Sequence, residues 1–258
     1  MMNRHDLLLR RMEEIGRSIA ESGHGLAVLG LGSAGRDRER LDDYSDLDFF
    51  VIVEPGHKQR YLDRLDWLSN LAPLAYQFRN TVDGYKVLFA DGVFCEFAVF
   101  EASELPRIPF APGRFVWKRD GVDDALATPA DSHPPEERSA EWLLGEALTN
   151  LYVGMCRFRR GERLSAARFV QHFAVDRLLE LHEQAARPMP AGRDPFAPER
   201  RFEQRHPGLA EELPRFMPGY DQTPAAALAI LDHLARAYPV NPAMASAIRQ
   251  LCANDEQT

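Results

Sequence analysis

A chain of 258 residues, 45% hydrophobic and 27% charged, has room for one large domain or two modest ones. Its formal net charge of −8 argues against a polynucleotide partner, because binding driven by counterion release calls for a basic surface, whereas a small cationic substrate would suit it. No run of about 18 apolar residues could cross a membrane, and Met1 to Arg11 has no secretory pattern.

Three scattered cysteines, Cys95, Cys156 and Cys252, form neither a disulfide framework nor a zinc knuckle, so a reducing, cytoplasmic setting is expected. From Asp6 to Glu21 the apolar residues Leu8, Leu9, Met12, Ile15 and Ile19 recur at helical spacing, and Gly23 and Gly25 end the pattern. The apolar run Leu26 to Leu31 predicts a buried strand leading into Gly32-Ser33. After a polar stretch, Leu47 to Val53 predicts a second strand, stopped by Pro55-Gly56. Lys58 to Leu71 returns to helical spacing. Tyr85 to Ala90 and Val93 to Phe100 then read as a hairpin around Asp91-Gly92, the dipeptide of a type I′ turn. This first segment is a helix-flanked mixed sheet of the α/β or α+β kind.

Pro-rich passages at Pro106 to Pro112 and Thr128 to Pro135 mark a change, and strand signals vanish from Glu136 onward. Glu141 to Phe158, Ser165 to Ala185, Ala225 to Tyr238 and Pro242 to Cys252 predict amphipathic helices. Pro188 to Pro198 predicts a loop, and Arg200 to Pro218 a shorter helical piece. The expected organisation is α+β, with a mixed-sheet domain over 1–130 followed by a helical bundle over 131–258.

The chemistry concentrates at the mouth of the second strand. Asp46 and Asp48 lie two apart, so their carboxylates share a face, and the residues that follow are apolar. Adjacent carboxylates repel unless a cation lies between them, and magnesium takes one or two carboxylates together with substrate phosphates. Two solvated aspartates at a strand edge are the plain alternative. Gly32-Ser33, after the first strand, offers backbone amides and a hydroxyl to phosphate, or forms a simple turn. Glu96 stands alone in an apolar strand, which calls for a cation, a partner or an edge position. Arg36 could reach phosphate oxygens or pair with Asp37 or Asp42. Glu141 and Glu146, and the basic cluster Arg157, Arg159, Arg160 and Arg163, are candidates for acceptor and triphosphate contacts or else solvated helix surface. The histidines have no His-X-X-X-His spacing, so no zinc site is expected, and Ser33 has no histidine partner at a hydrolase spacing.

In this order, Gly32-Ser33, then Asp46-Leu47-Asp48, then Glu96 on a later strand, the chain resembles the nucleotidyltransferase superfamily typified by DNA polymerase beta. Within it the chain looks most like the lincosamide nucleotidyltransferases, through Tyr44 to Phe50, Leu71-Ala72-Pro73, Tyr85 to Ala90, Glu96-Phe97 and Arg160 to Ser165. Some relatives carry Asp-X-Glu where this chain has Asp46-Leu47-Asp48, and residues 194–258 show no match. The resemblance implies a nucleotidyltransferase domain holding two Mg2+ ions at Asp46, Asp48 and Glu96. Gly32, Ser33 and Arg36 would then bind a nucleoside triphosphate, such as ATP. Glu96 would act as ligand or as base. The implied acceptor is a small molecule, an antibiotic such as a lincosamide or aminoglycoside being the obvious candidate, which would make the enzyme one of antibiotic resistance. A protein-modifying enzyme of the toxin–antitoxin type and a silent nucleotide-binding regulator are the alternatives. Lincosamide-type relatives are often dimeric, so a homodimer stays open, though nothing in the sequence demands one.

Overall fold

The computed structural model describes residues 3–129, 138–185 and 197–253. The chain forms two compact units, Met1–His133 and Pro134–Thr258. Most of the second Pro-rich passage, most of the loop from Pro188 to Pro198, and the expected boundary between 130 and 131 fall outside the described residues.

In the first unit, α1 (Arg4–Glu21) starts at Asn3, whose side chain accepts the Asp6 N–H. Six strands follow: β1 (Gly25–Gly30), β2 (Leu47–Val53), β3 (Leu74–Phe78), β4 (Gly84–Phe89), β5 (Phe94–Glu101) and β6 (Arg114–Lys118). They form one sheet in the order β3-β4-β5-β2-β1-β6. Every pairing is antiparallel except β2 with β5, so the sheet is mixed and the architecture is α+β.

Alternation along β2 sorts the two faces. Leu47, Phe49, Val51 and Val53 pack with Leu8, Met12, Ile15 and Ile19 of α1. Phe50 and Ile52 face the other way, toward Ala27, Phe100 and Leu105. Beneath the first face, Phe49 stacks on Phe97 at 5.4 Å between ring centroids, and Trp67 meets Phe97 edge-on at 5.0 Å.

The structure differs from the sequence expectation at four places in this unit. The helix expected over Lys58 to Leu71 is broken into α2 (Lys58–Asp63) and α3 (Asp66–Ser69). Arg64 is extended at the break, which turns Trp67 inward so that its indole N–H donates to the Tyr61 carbonyl. The hairpin loop spans three residues, Ala90 to Gly92, instead of forming a two-residue type I′ turn. Gly92 has φ +86° while Asp91 does not enter positive φ, and the Gly92 N–H donates to the Phe89 carbonyl. Arg11 explains the choice, because its guanidinium holds the Asp91 carboxylate at 2.7 Å. Strands β3 and β6 are additions, each lacking the alternation that would have revealed it.

The second unit is helical among its described residues. α4 (Ala140–Arg159) is capped by Ser139, and α5 (Arg163–Arg168) and α6 (Val175–Ala185) are joined by a π-helical turn over Phe169–Ala174. Short helices α7 (Phe202–Arg205), α8 (Pro207–Ala210) and α9 (Leu213–Phe216) lead to α10 (Thr223–Ala237) and α11 (Pro242–Ala253). Its core gathers Leu151, Met155, Val170, Leu178, Ile230 and Ile248. Gly154 lets α4 approach the π-helical turn, where a Cβ would stand 2.7 Å from Val170. No described helix is long and apolar enough to cross a membrane.

Candidate active site

The first element of the site is the exit of β1. The chain leaves Gly30, turns through a single 3-10 turn at Gly32–Ala34, and folds back on itself. A Cβ on Gly35 would stand 2.3 Å from the Gly30 carbonyl oxygen, and one on Gly30 would stand 2.4 Å from that of Ala34. The turn is thus packed backbone to backbone on the strand that launches it. The Leu31 N–H donates to the Asp48 carbonyl at 2.8 Å, so Gly32-Ser33 emerges beside Asp48.

The second element is the mouth of β2. Before it, Asp42 and Ser45 brace the loop, with the Ser45 hydroxyl and the Tyr44 N–H both donating to the Asp42 carboxylate. Tyr44 itself is 97% exposed. Asp46 and Asp48 follow, half-buried, on the face opposite α1.

The third element is the parallel seam. Asp48 is the register partner of Glu96, and Glu96 is in turn the partner of Lys86 on β4. Neighbouring strands lie about 4.8 Å apart and direct partners share a face, so Asp48, Glu96 and Lys86 form a row across three strands. The Lys86 ammonium donates to Glu96 Oε2 at 3.0 Å, and the Asn80 amide donates to Glu96 Oε1 at 2.9 Å. Lys86 is held above its ordinary value, chiefly by the hydrogen bond to Glu96. The charge of Glu96 adds to this, burial opposes it, and the charges of Asp48 and Asp46 contribute as well. One ammonium therefore senses all three carboxylates. The donor set is oxygen only, which is the chemistry that suits magnesium, and the Lys86 ammonium competes for it.

Of the residues selected in the sequence, Gly32, Ser33, Asp46, Asp48 and Glu96 come together at one end of the sheet. Arg36 is held on the β6 side, where its Nε donates to the Gly113 carbonyl at 2.8 Å. In the second unit, Arg157 hydrogen-bonds Ser165 and stacks 4.1 Å over Phe169. Arg159 donates to the Leu251 carbonyl, and Arg163 lies 4.6 Å over Phe158. These three arginines tie α4 to α5, to the π-helical turn and to α11. Glu141 and Glu146 flank a shallow depression with Ser139, Trp142, Gly145 and Thr149.

Lys86 and Asn80 were missed by the sequence reading. Counting back from the expected two-residue turn would set Glu96 opposite Val87, and only the three-residue loop brings Lys86 level with it. Asn80 follows an exposed edge strand and leaves no trace. The structure also gathers His24, Glu54 and His57, whose potential ligand atoms lie within 4.8 Å of one another. Sequence spacing hid this group because one member precedes β1 and the other two flank a turn after β2.

The chain matches no protein-family model and no curated protein. Among solved structures it is similar to an aminoglycoside 6-adenyltransferase from Bacillus subtilis, at 12% identity and a TM-score of 0.34, over 98% of this chain and 92% of that one. It is also similar to the CCA-adding enzyme of Thermotoga maritima complexed with tRNA, at 14% identity and a TM-score of 0.35, over 97% of this chain and 72% of that one. Overlaps this loose decide no chemistry, which the residues of this chain must carry.

Proposed function

We propose that the chain transfers a nucleoside monophosphate from a nucleoside triphosphate to a hydroxyl of a small molecule, releasing pyrophosphate. The observation that carries this reading is the register pairing of Asp48 with Glu96 beside the Gly32-Ser33 turn. Three carboxylates gathered beside that turn repel one another, which favours a cation among them.

Asp46, Asp48 and Glu96 would hold two magnesium ions, which supply neutralisation of triphosphate and leaving-group charge when bound. The turn at Gly32 and the Ser33 hydroxyl would bind phosphate oxygens. Lys86 balances the carboxylates before nucleotide arrives. In the transfer, the acceptor oxygen bonds to the α-phosphorus while the bond from that phosphorus to the bridging oxygen breaks. Pyrophosphate leaves with the electron pair, and the acceptor proton passes to a carboxylate, for which Glu96, oriented by Asn80 and Lys86, is the candidate. Catalysis on this reading is positioning and electrostatics.

The decisive measurement is magnesium-dependent pyrophosphate release by Asp48→Ala, with labelled triphosphates screened by mass against antibiotics and metabolites as acceptors. The variant is expected to keep its circular dichroism spectrum and lose turnover. Turnover at the wild-type rate would remove Asp48 from the chemistry.

A further inference from the structure

At the opposite end of β2 from the carboxylates, a second group of ligating side chains is built into the backbone. His24 immediately precedes β1 and Glu54 immediately follows β2, and the Glu54 N–H donates to the His24 carbonyl at 3.0 Å. Glu54, Pro55, Gly56 and His57 then form a tight turn, with the His57 N–H donating to the Glu54 carbonyl at 3.1 Å and Gly56 at φ +81°. Proline followed by a glycine at positive φ is the pattern of a type II turn. The Glu101 carboxylate accepts the Gly56 N–H at 2.7 Å and fixes the turn from the neighbouring strand.

The side chains converge on this frame. His24 Nδ1 lies 2.8 Å from Glu54 Oε2, and the imidazoles of His24 and His57 stack with centroids 3.5 Å apart. Arg119 holds the other carboxylate oxygen, Oε1, and also donates to the Gly23 carbonyl. The carboxylate is thereby oriented with Oε2 toward the histidines, as outer partners orient metal ligands elsewhere.

We propose that His24, Glu54 and His57 form a site for a divalent transition ion of the zinc class, with water in the fourth position. Two imidazoles and one carboxylate are a donor set that zinc accepts in tetrahedral sites and that magnesium does not favour. The rings must fan apart to aim both lone pairs at one ion, and the half-exposed His24 ring has the freedom to do so. Six residues of β2 at about 3.3 Å each place this site roughly 20 Å from Asp48, so it is separate from the carboxylate site. A bound ion would tie the start of β1, the end of β2 and the start of α2 together, a structural role independent of turnover.

The test is calorimetric titration of the full chain with zinc alone, repeated with magnesium alone and on the variants His57→Ala, His57→Asn, Glu54→Gln and Asp48→Ala. Saturation near one equivalent is expected for wild type and Asp48→Ala. Binding roughly tenfold or more weaker is expected in the His57 and Glu54 variants. The two His57 substitutions guard against loss of fold, checked by circular dichroism. Zinc should also raise the melting temperature of wild type by more than it raises that of His57→Asn at the same concentration. Absence of saturable zinc binding, or binding unchanged by both His57 substitutions, would overturn the site. So would zinc binding lost in Asp48→Ala, which would place the ion at the carboxylates.

Discussion

Replacing Gly35 with alanine isolates the contact that seats the Gly32-Ser33 turn. The new Cβ would stand 2.3 Å from the Gly30 oxygen and 2.9 Å from the Leu31 Cα, where ordinary contact begins at 3.4 Å. Both obstacles are backbone, so no side chain can rotate away and the turn must lift by about 1 Å. Overpacking of this kind costs about 1–3 kcal/mol, and a displacement of about 1 Å between reacting groups is worth roughly 100-fold in rate. Gly121→Ala, outside the site, serves as the control. Its Cβ would meet nothing within 4 Å, and it carries the burden of φ +83°, which costs roughly 1–2 kcal/mol. The assay is pyrophosphate release at saturating magnesium, paired with urea unfolding followed by circular dichroism. Gly35→Ala should lose about two orders of magnitude in kcat/KM, with Gly121→Ala affected far less. Equal turnover in wild type and Gly35→Ala would refute the claim that the turn's seat on β1 positions the phosphates.

Lys86→Met removes the cation from among three carboxylates. The Lys86–Glu96 pair is about 40% exposed on each side, so stability should change by no more than about 1 kcal/mol. Thermal-shift titration with magnesium in the absence of nucleotide should show tighter apparent binding, and weaker binding would contradict the arrangement. Arg11→Met removes a guanidinium that is 4% exposed and touches Asp91, Glu14 and the Phe89 ring. Water can reach the Asp91 left behind, so about 1–3 kcal/mol should be lost in urea unfolding; an unchanged midpoint would deny the residue its role in the hairpin loop. His206 is buried against Phe202 and His182, and burial holds it below its ordinary 6.5, with Arg205 adding to the shift and Glu183 opposing it. The unfolded chain therefore takes up the proton first as pH falls. Stability should be level above about pH 6.5 and decline below it, and His206→Leu should flatten that decline in urea midpoints between pH 7.5 and 5.

The sequence exposed what alternation and punctuation could expose. β2 appears with the bounds read from Leu47 to Val53, because an apolar run between Asp-rich residues and Pro55-Gly56 admits few other readings. The carboxylates of Asp46 and Asp48 were legible for the same reason. That Glu96 would face Asp48 was not, since it depends on β5 entering the sheet parallel and in a particular register. β3 was hidden because Tyr76 and Phe78 are exposed on an edge, which removes the polar alternation that marks a half-covered strand. Arg36 shows what a local reading leaves out, because its placement also depends on Gly113, 77 residues on. His24, Glu54 and His57 are similarly a product of antiparallel pairing, which brings the start of one strand to the end of the next.

The aromatic layer beneath the sheet has a consequence for the acids above it. Phe49 and Phe97 sit one residue beyond Asp48 and Glu96, on the reverse face, and their stacking fixes the slide of one strand against the other. A slip of a single residue would send every side chain of one strand to the wrong side. The gap between the two acids is therefore governed by hydrocarbon packing that no substrate touches. Trimming Phe97 or bulking it out is a way to retune the distance between charges from behind, leaving every polar group in place.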